Sequence, residues 1–372
     1  MFFYWCVFFL LLILVLQKNK YKYWFVSAIL MILGATRAAT VGNDLRGGYS
    51  LEFSYIQMNP ATWGHYMPQF ECGFAWLMAF FKTFISSTSI YFFHLVFFFS
   101  FCCIVFFVKK QSRYPAMVMF FMFALAYYFS FYNIMRQEMA FAFICALGLA
   151  PIWNANDSTP KSYEREKIIV AISVVVVVSY LIHNSQVILL LAIPAYLFYQ
   201  KKVFNTKYMI FFIALTAVFS MTLAKHAFVW MGNFAYLFTG SNSNAAGYMV
   251  YSENLGMYST SVNLINSLVA IYIVFSCRFK RTPFLVLFVL GVSLQNVLTP
   301  ISWIFARLAN TFLFFKIFVF ADLWYEIPDK KERNAYKIVI LCYSVMMFAN
   351  RLINDHENDV VPYVNYYIER FL

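Results

Sequence analysis

The chain has 372 residues, of which 63% are hydrophobic, 22% aromatic and only 12% charged. Soluble globular proteins carry about a quarter charged residues, so this composition excludes a water-soluble fold and points to a polytopic membrane protein. The net charge of +12 does not indicate nucleic acid, because 19 of the 28 Lys and Arg fall in six short hydrophilic segments, 17–22, 109–113, 161–167, 201–207, 278–281 and 330–337. The positive-inside rule places all six in the cytoplasm.

With those segments fixed inside, the apolar runs predict an all-α protein of about 12 transmembrane helices forming one polytopic domain over residues 1–372. The spans fall near 2–16, 24–40, 90–108, 115–132, 138–153, 168–182, 186–199, 208–224, 262–277, 283–302, 305–320 and 338–352. A β-barrel is excluded, since VVVVV at 174–178 and FHLVFFFSFCCIVFFV at 93–108 show no alternation. The first apolar run starts at Met1 without a basic leader, so it reads as a retained span rather than a cleaved signal. An even count places both termini outside. Residues 72–88 are apolar enough to cross, but a crossing there would put KKQSR on the wrong side. They read as a re-entrant or interfacial helix on the outer face; the alternative is a true span, with another short run failing to cross. Two outer loops, 41–71 and 225–261, exceed every inner loop in length, so the working surface is expected to face outward. The seven cysteines show no metal spacing and no disulfide framework, and Walker A, HExxH, GxSxG and Cys-x-x-Cys patterns are absent. No metal or cofactor is expected.

The candidate site residues lie at the outer ends of the spans. Asp44 sits beside Arg46 in GNDLRGGY, and Glu71 precedes the re-entrant segment. A carboxylate near a lipid interface can act as a general base, although either residue can also be an exposed acid or a helix cap. Arg136 and Gln137 interrupt the apolar stretch SFYNIMRQEMAFA on an outer turn. An arginine at membrane depth is costly unless paired or facing a wet cavity; the bland reading is a snorkelling arginine paired with Glu138 or Glu71. The next outer turn, SYLIHNSQVILL, packs His183, Asn184, Ser185 and Gln186 together, where a histidine can line a site or simply fill a core. Arg307 in SWIFARLANTF is the third candidate, whose alternative is a partner for a helix C-terminus. Guanidinium forks bind phosphate oxygens bidentately. Asp355, Glu357 and Asp359 alternate as D-x-E-x-D, which can hold a divalent cation but reads better as a solvated tail. Tyr49, Tyr55, Trp63, Tyr66, Trp230, Tyr236 and Tyr248 can stack on sugar faces or form an interfacial belt, the latter being the better reading for most of them.

The order of these features resembles the EpsG-like branch of the Wzy polysaccharide polymerases. Gly42, Asp44 and Tyr49 form a G-x-D loop with a following tyrosine, and Glu71-Cys72-Gly73-Phe74 opens an apolar helix. Then come Asn133, Arg136 and Gln137 as N-x-x-R-Q, His183 and Ser185 as H-x-S, Arg307 on a late span, and V-P-Y at 361–363. In this chain Leu45-Arg46 intervenes where the family's loop often has an aromatic directly after the Asp. The resemblance implies a GT-C-like plan in a bacterial cytoplasmic membrane with the active site facing outward. It implies an undecaprenyl-pyrophosphate-linked oligosaccharide substrate, membrane lipids and a chain-length regulator as partners, and no nucleotide. It casts His183, Asp44 or Glu71 as base, Arg136 and Arg307 as the groups that stabilise the lipid pyrophosphate, and Gln137 and Arg46 as further substrate-binding residues; the place of His183 on the turn next to that of Arg136 puts it first among the bases. A flippase should instead show two related halves and midplane charges. An O-antigen ligase would use the same donor on a different acceptor, and an acyltransferase would rest mainly on His183.

Overall fold

The computed structural model describes residues 1–42, 45–60, 70–152, 164–200, 205–222, 260–277, 282–299, 303–354 and 360–369. Within them every regular element is helical, and the one β contact is an isolated antiparallel bridge between Arg37 and Asn365. The first half comprises α1 (Phe2–Leu16), α2 (Lys22–Ala35), a π-turn at Leu45–Tyr49 leading into α3 (Ser50–Tyr55), α4 (Cys72–Phe84), α5 (Ser89–Gln111), α6 (Pro115–Ala124), α7 (Tyr127–Asn133), α8 (Met135–Ile152) and α9 (Glu164–Leu181). A 3-10 segment, Asn184–Leu191, runs into α10 (Ala192–Gln200), followed by α11 (Thr206–Thr222), α12 (Thr260–Ser276), α13 (Pro283–Leu298), α14 (Trp303–Leu313), α15 (Lys316–Glu326), α16 (Lys330–Ile353) and α17 (Tyr366–Glu369).

Among the described residues four helical stretches have the length and hydropathy to cross a membrane, Ser89–Gln111, Met135–Ile152, Arg307–Glu326 and Lys330–Ile353, and the bent pair Pro115–Ala124 with Tyr127–Asn133 makes a fifth if it is one span. At about 1.5 Å per residue even an 18-residue helix reaches roughly 27 Å, close to the hydrocarbon thickness. Helix α16 is opened by Asp329, whose carboxylate accepts from the Glu332 amide at 2.7 Å. Seven further apolar helices are shorter. The expected span at 24–40 leaves the helix at Thr36, because residues 36–38 pair with the C-terminal segment instead: Ala38 N donates to Val364 O and Tyr366 N to Thr36 O, each at 2.8 Å. The expected span at 115–132 is two helices, α6 and α7, bent by 63°. Ala126 sits between them at φ 63°, a left-handed conformation that a Cβ disfavours, so packing rather than local preference holds the bend.

The chain divides into two compact units, Met1–Leu190 with Phe320–Leu372, and Leu191–Val319. In the first, α6 is the central helix. Nine consecutive residues, Ala116–Ala124, are buried, as an all-round apolar helix requires. Phe8 packs edge-on with its Phe120 and Phe320 edge-on with its Phe121, while Phe348 lies tilted against its Phe123. In the second unit α13 is buried along most of its length and lies against α14, with Gly291 so close that a Cβ would stand 2.7 Å from Leu313 N.

The first unit has two distinguishable ends. At one, Lys22 donates to Val15 O at 2.8 Å, Lys109 stands over the Tyr23 ring, and Arg113 approaches Glu326 at 3.7 Å. At the other, Tyr4 OH donates to Val360 O at 2.9 Å and Tyr363 OH to Leu33 O at 3.0 Å, which places the N-terminus and residues 360–366 together. Helix α4 belongs to this second end. It is 13 residues long, its first residue follows Glu71, and its last is joined by a short turn to the start of α5, where His94 meets Arg37 O at 2.8 Å. The helix has one buried and one exposed face. Trp76, Phe80 and Phe84 form its exposed stripe at i, i+4 spacing, while Phe74, Met78 and Phe81 are buried against α3 and α5.

Candidate functional site

The site is built where α4, α8 and the turn after α9 meet. Glu71 occupies the N-cap position of α4, but its side chain does not cap that helix. The carboxylate turns to two other elements. Oε2 accepts from Arg136 Nη1 in a short ion pair, while Oε1 meets His183 Nδ1 at 3.0 Å and accepts from Asn184 N at 3.0 Å. Arg136 also donates from Nε to Tyr49 OH at 3.2 Å, and its guanidinium lies 4.1 Å over the Phe70 ring. Three residues, 65, 112 and 113 positions further along the sequence, thus share one carboxylate.

Gly73 makes that meeting possible. A Cβ there would stand 2.7 Å from Leu181 O, so the first turn of α4 rides directly on the end of α9, two residues before His183. Tyr49 is presented by an aromatic cluster with Phe53, Phe74, Phe92 and Phe93, and α3 beneath it is fixed by Lys82. The Lys82 ammonium donates to Phe53 O at 2.9 Å, Ser54 O at 2.7 Å and Ile56 O at 2.5 Å, which satisfies the carbonyls left open at the end of α3.

The electrostatics follow from these contacts. Burial alone would raise the Glu71 carboxyl, but the hydrogen bonds from His183, the Asn184 amide and its own backbone, with the Arg136 charge, outweigh it and hold the group at about 2. Glu71 is therefore ionised throughout the physiological range and is a poor proton acceptor. An ionised carboxylate can only accept, so Nδ1 is the donor in this contact, and in the neutral imidazole that leaves Nε2 as the acceptor, without a partner among the described residues. The side chains of Glu71, Arg136 and His183 are 10%, 20% and 23% exposed, so the group is sheltered yet reachable. Nη2 of Arg136 likewise keeps its donors, among the described residues.

The EpsG family model matches residues 21–365 of this chain. The chain belongs to the EpsG family. That is a Wzy-like family of polysaccharide polymerases, so lipid-linked saccharides and membrane lipids are the substrate and surroundings the family implies. No curated protein and no solved structure matches the chain.

Of the residues expected in the site of this EpsG-family chain, Glu71, Arg136 and His183 come together. Arg136 adopts the paired state foreseen as its bland alternative, with Glu71 rather than Glu138 as partner. Gln137, next along α8, is buried and faces away from solvent. Arg307 lies on α14 in the second unit. Arg46 lies on the π-turn Leu45–Tyr49, with its side chain outside the described residues, and Asp44 falls outside them altogether, as do Trp63, Tyr66, Trp230, Tyr236, Tyr248, Asp355, Glu357 and Asp359.

Two residues escaped the sequence reading. Lys82 was hidden because a lone lysine in an apolar helix carries no sign of which carbonyls it will meet. Arg37 is fully buried, donating from Nη1 to Gly34 O at 2.9 Å and from Nη2 towards Met135 Sδ at 3.2 Å, with the Tyr132 ring 4.5 Å away. It ties the end of α2 to the residue preceding Arg136. Its signal was present in ATRAATVG, a lone arginine inside the run expected to span at 24–40.

Proposed function

We propose that this chain polymerises undecaprenyl-pyrophosphate-linked oligosaccharide repeat units on the outer face of a bacterial cytoplasmic membrane. The observation that carries the reading is the Glu71 carboxylate holding His183 and Arg136 side by side. In this mechanism Nε2 of His183 takes the proton from an acceptor-sugar hydroxyl. The acceptor oxygen attacks the anomeric carbon of the donor chain, the bond from that carbon to the pyrophosphate oxygen breaks, and the lipid pyrophosphate leaves with the electron pair. Arg136 stabilises the departing charge through Nη2, and Arg46 is its proposed companion. Glu71 is a positioning residue, setting the tautomer of His183 and the orientation of Arg136. The energy is stored in the donor linkage, so no nucleotide enters.

The orientation rests on the placement of the Glu71 cluster at the end opposite Lys22, Lys109 and Arg113, which the positive-inside rule assigns to the cytoplasm. Membrane-length and shorter apolar helices alternating with the basic segments support a single polytopic domain of about twelve crossings on a GT-C-like plan.

Glycolipid analysis of a deletion strain tests the function. Accumulated single repeat units identify a polymerase, unattached polymer a ligase, and the absence of both from the outer face a flippase. Complementation with His183→Ala should restore protein in the membrane but no polymer at any pH. Wild-type polymer in that strain would remove His183 as the base.

A further inference from the structure

The second unit contains a polar layer that the mechanism above does not use. Helices α11, α12 and α13 contact one another and carry a single charge, Lys207, at the start of α11. Their opposite halves are rich in amides and hydroxyls. Asn266 Nδ2 donates to Gln295 Oε1 at 3.2 Å, Ser267 Oγ to Asn296 Oδ1 at 3.1 Å, and Asn296 Nδ2 to Thr216 Oγ1 at 3.2 Å. These three bonds are what interhelical adhesion in a membrane requires. Adhesion does not account for the rest of the layer. Ser220 follows Thr216 by one turn, while Ser293 and Thr299 flank Asn296 at three-residue spacing, so helical periodicity puts all three on the faces that carry these bonds. Each is more than nine-tenths buried, and each hydroxyl lacks a partner among the described residues. Asn263, on the same face of α12 as Asn266 and Ser267, is also buried.

Unpartnered hydroxyls are costly in an apolar interior and are retained where another group completes them. The chemistry of this layer says which. Among the described residues the layer itself contains neither a cation nor a carboxylate, which favours a neutral ligand over a phosphate or a metal ion. Hydroxyls and amides both donate and accept, which matches the alternating donors and acceptors of a polyol. The layer also lies at the ends of α11 and α12 from which the long segment 223–259 departs and returns. We infer that Ser220, Ser293, Thr299 and Asn263 form a subsite for the hydroxyls of a neutral sugar, part of the saccharide handled in the polymerase reading on which this rests.

The test exploits opposite signs. Ser220→Ala, Ser293→Ala and Thr299→Val are combined in the full-length protein. The probe is the oligosaccharide repeat unit released from the cell's own surface polysaccharide, free of lipid and phosphate. The subsite predicts that wild type binds it and that the combined variant binds roughly tenfold more weakly or worse, while its thermal midpoint is unchanged or higher. Unchanged binding in a variant that is equally or more stable overturns the subsite, as does the absence of binding to wild type. Should the combined variant accumulate poorly, Ser220→Ala and Ser293→Ala are read singly on the same two measurements. Chain formation from lipid-linked repeat units is scored separately. Wild type that binds the free sugar but forms no chain would sink the polymerase reading and leave the subsite standing.

Discussion

At the scale of single residues, the Glu71 carboxylate decides what its neighbours can do. Its value of about 2 lies below the ordinary 4.5 because the folded state favours the charged form. A depressed acid contributes stability that is complete above about pH 4.5 and is lost as pH falls through about 2. Linkage puts the contribution at no more than about 3 kcal/mol, reduced by the contact of the cluster with solvent. The thermal midpoint of Glu71→Gln should therefore lie below wild type at pH 7, and the gap should be unchanged at pH 5 and shrink below pH 4. A gap independent of pH down to 3 would mean that the carboxylate's charge is not what holds the cluster. Arg136 uses Nε on Tyr49 and Nη1 on Glu71, leaving Nη2 for a ligand. A lysine ammonium cannot serve three such directions at once. Arg136→Lys should lose at least about tenfold in polymer formation while the protein still accumulates, and wild-type chain length would exclude it from the site.

At the scale of elements, the site depends on how closely α4 approaches α9. A Cβ on Gly73 would press on Leu181 O, a backbone atom with no freedom to rotate away, so the two elements must separate. Displacements well below 1 Å matter in a hydrogen-bonded catalytic group, and a 1 Å error can cost about 100-fold. Gly73→Ala is expected to reduce polymer formation by about tenfold or more, with Gly48→Ala as its neutral control, because a Cβ at Gly48 meets nothing within 4 Å. Equal activity in the two variants would show that the α4–α9 approach does not set the geometry. An apolar helix opening directly after Glu71 was readable in the sequence. The cap that Lys82 places on α3 was not, because it joins carbonyls 26 to 29 residues away.

At the scale of the whole molecule, a reporter fused after Lys110 or Lys202 should read as cytoplasmic, and one inserted near Ser243 as external. An outside signal at Lys202 would overturn the assignment from the middle of the chain onward.

What the amino-acid sequence determined alone is the membrane class, the order of helices and the end of the bundle where the polar residues gather. These are local properties: a chain in hydrocarbon must satisfy its backbone within each segment, so every apolar run declares itself a helix without reference to any other. Tertiary structure alone decided that Arg136 pairs with Glu71, that the same carboxylate orients His183, that Arg37 is wholly buried, and that α6 and α7 bend at an alanine with neither Gly nor Pro to mark the place. Each depends on contacts between segments far apart in the chain. A side chain's charge is written in its own residue, but the partner that fixes its role is supplied by packing.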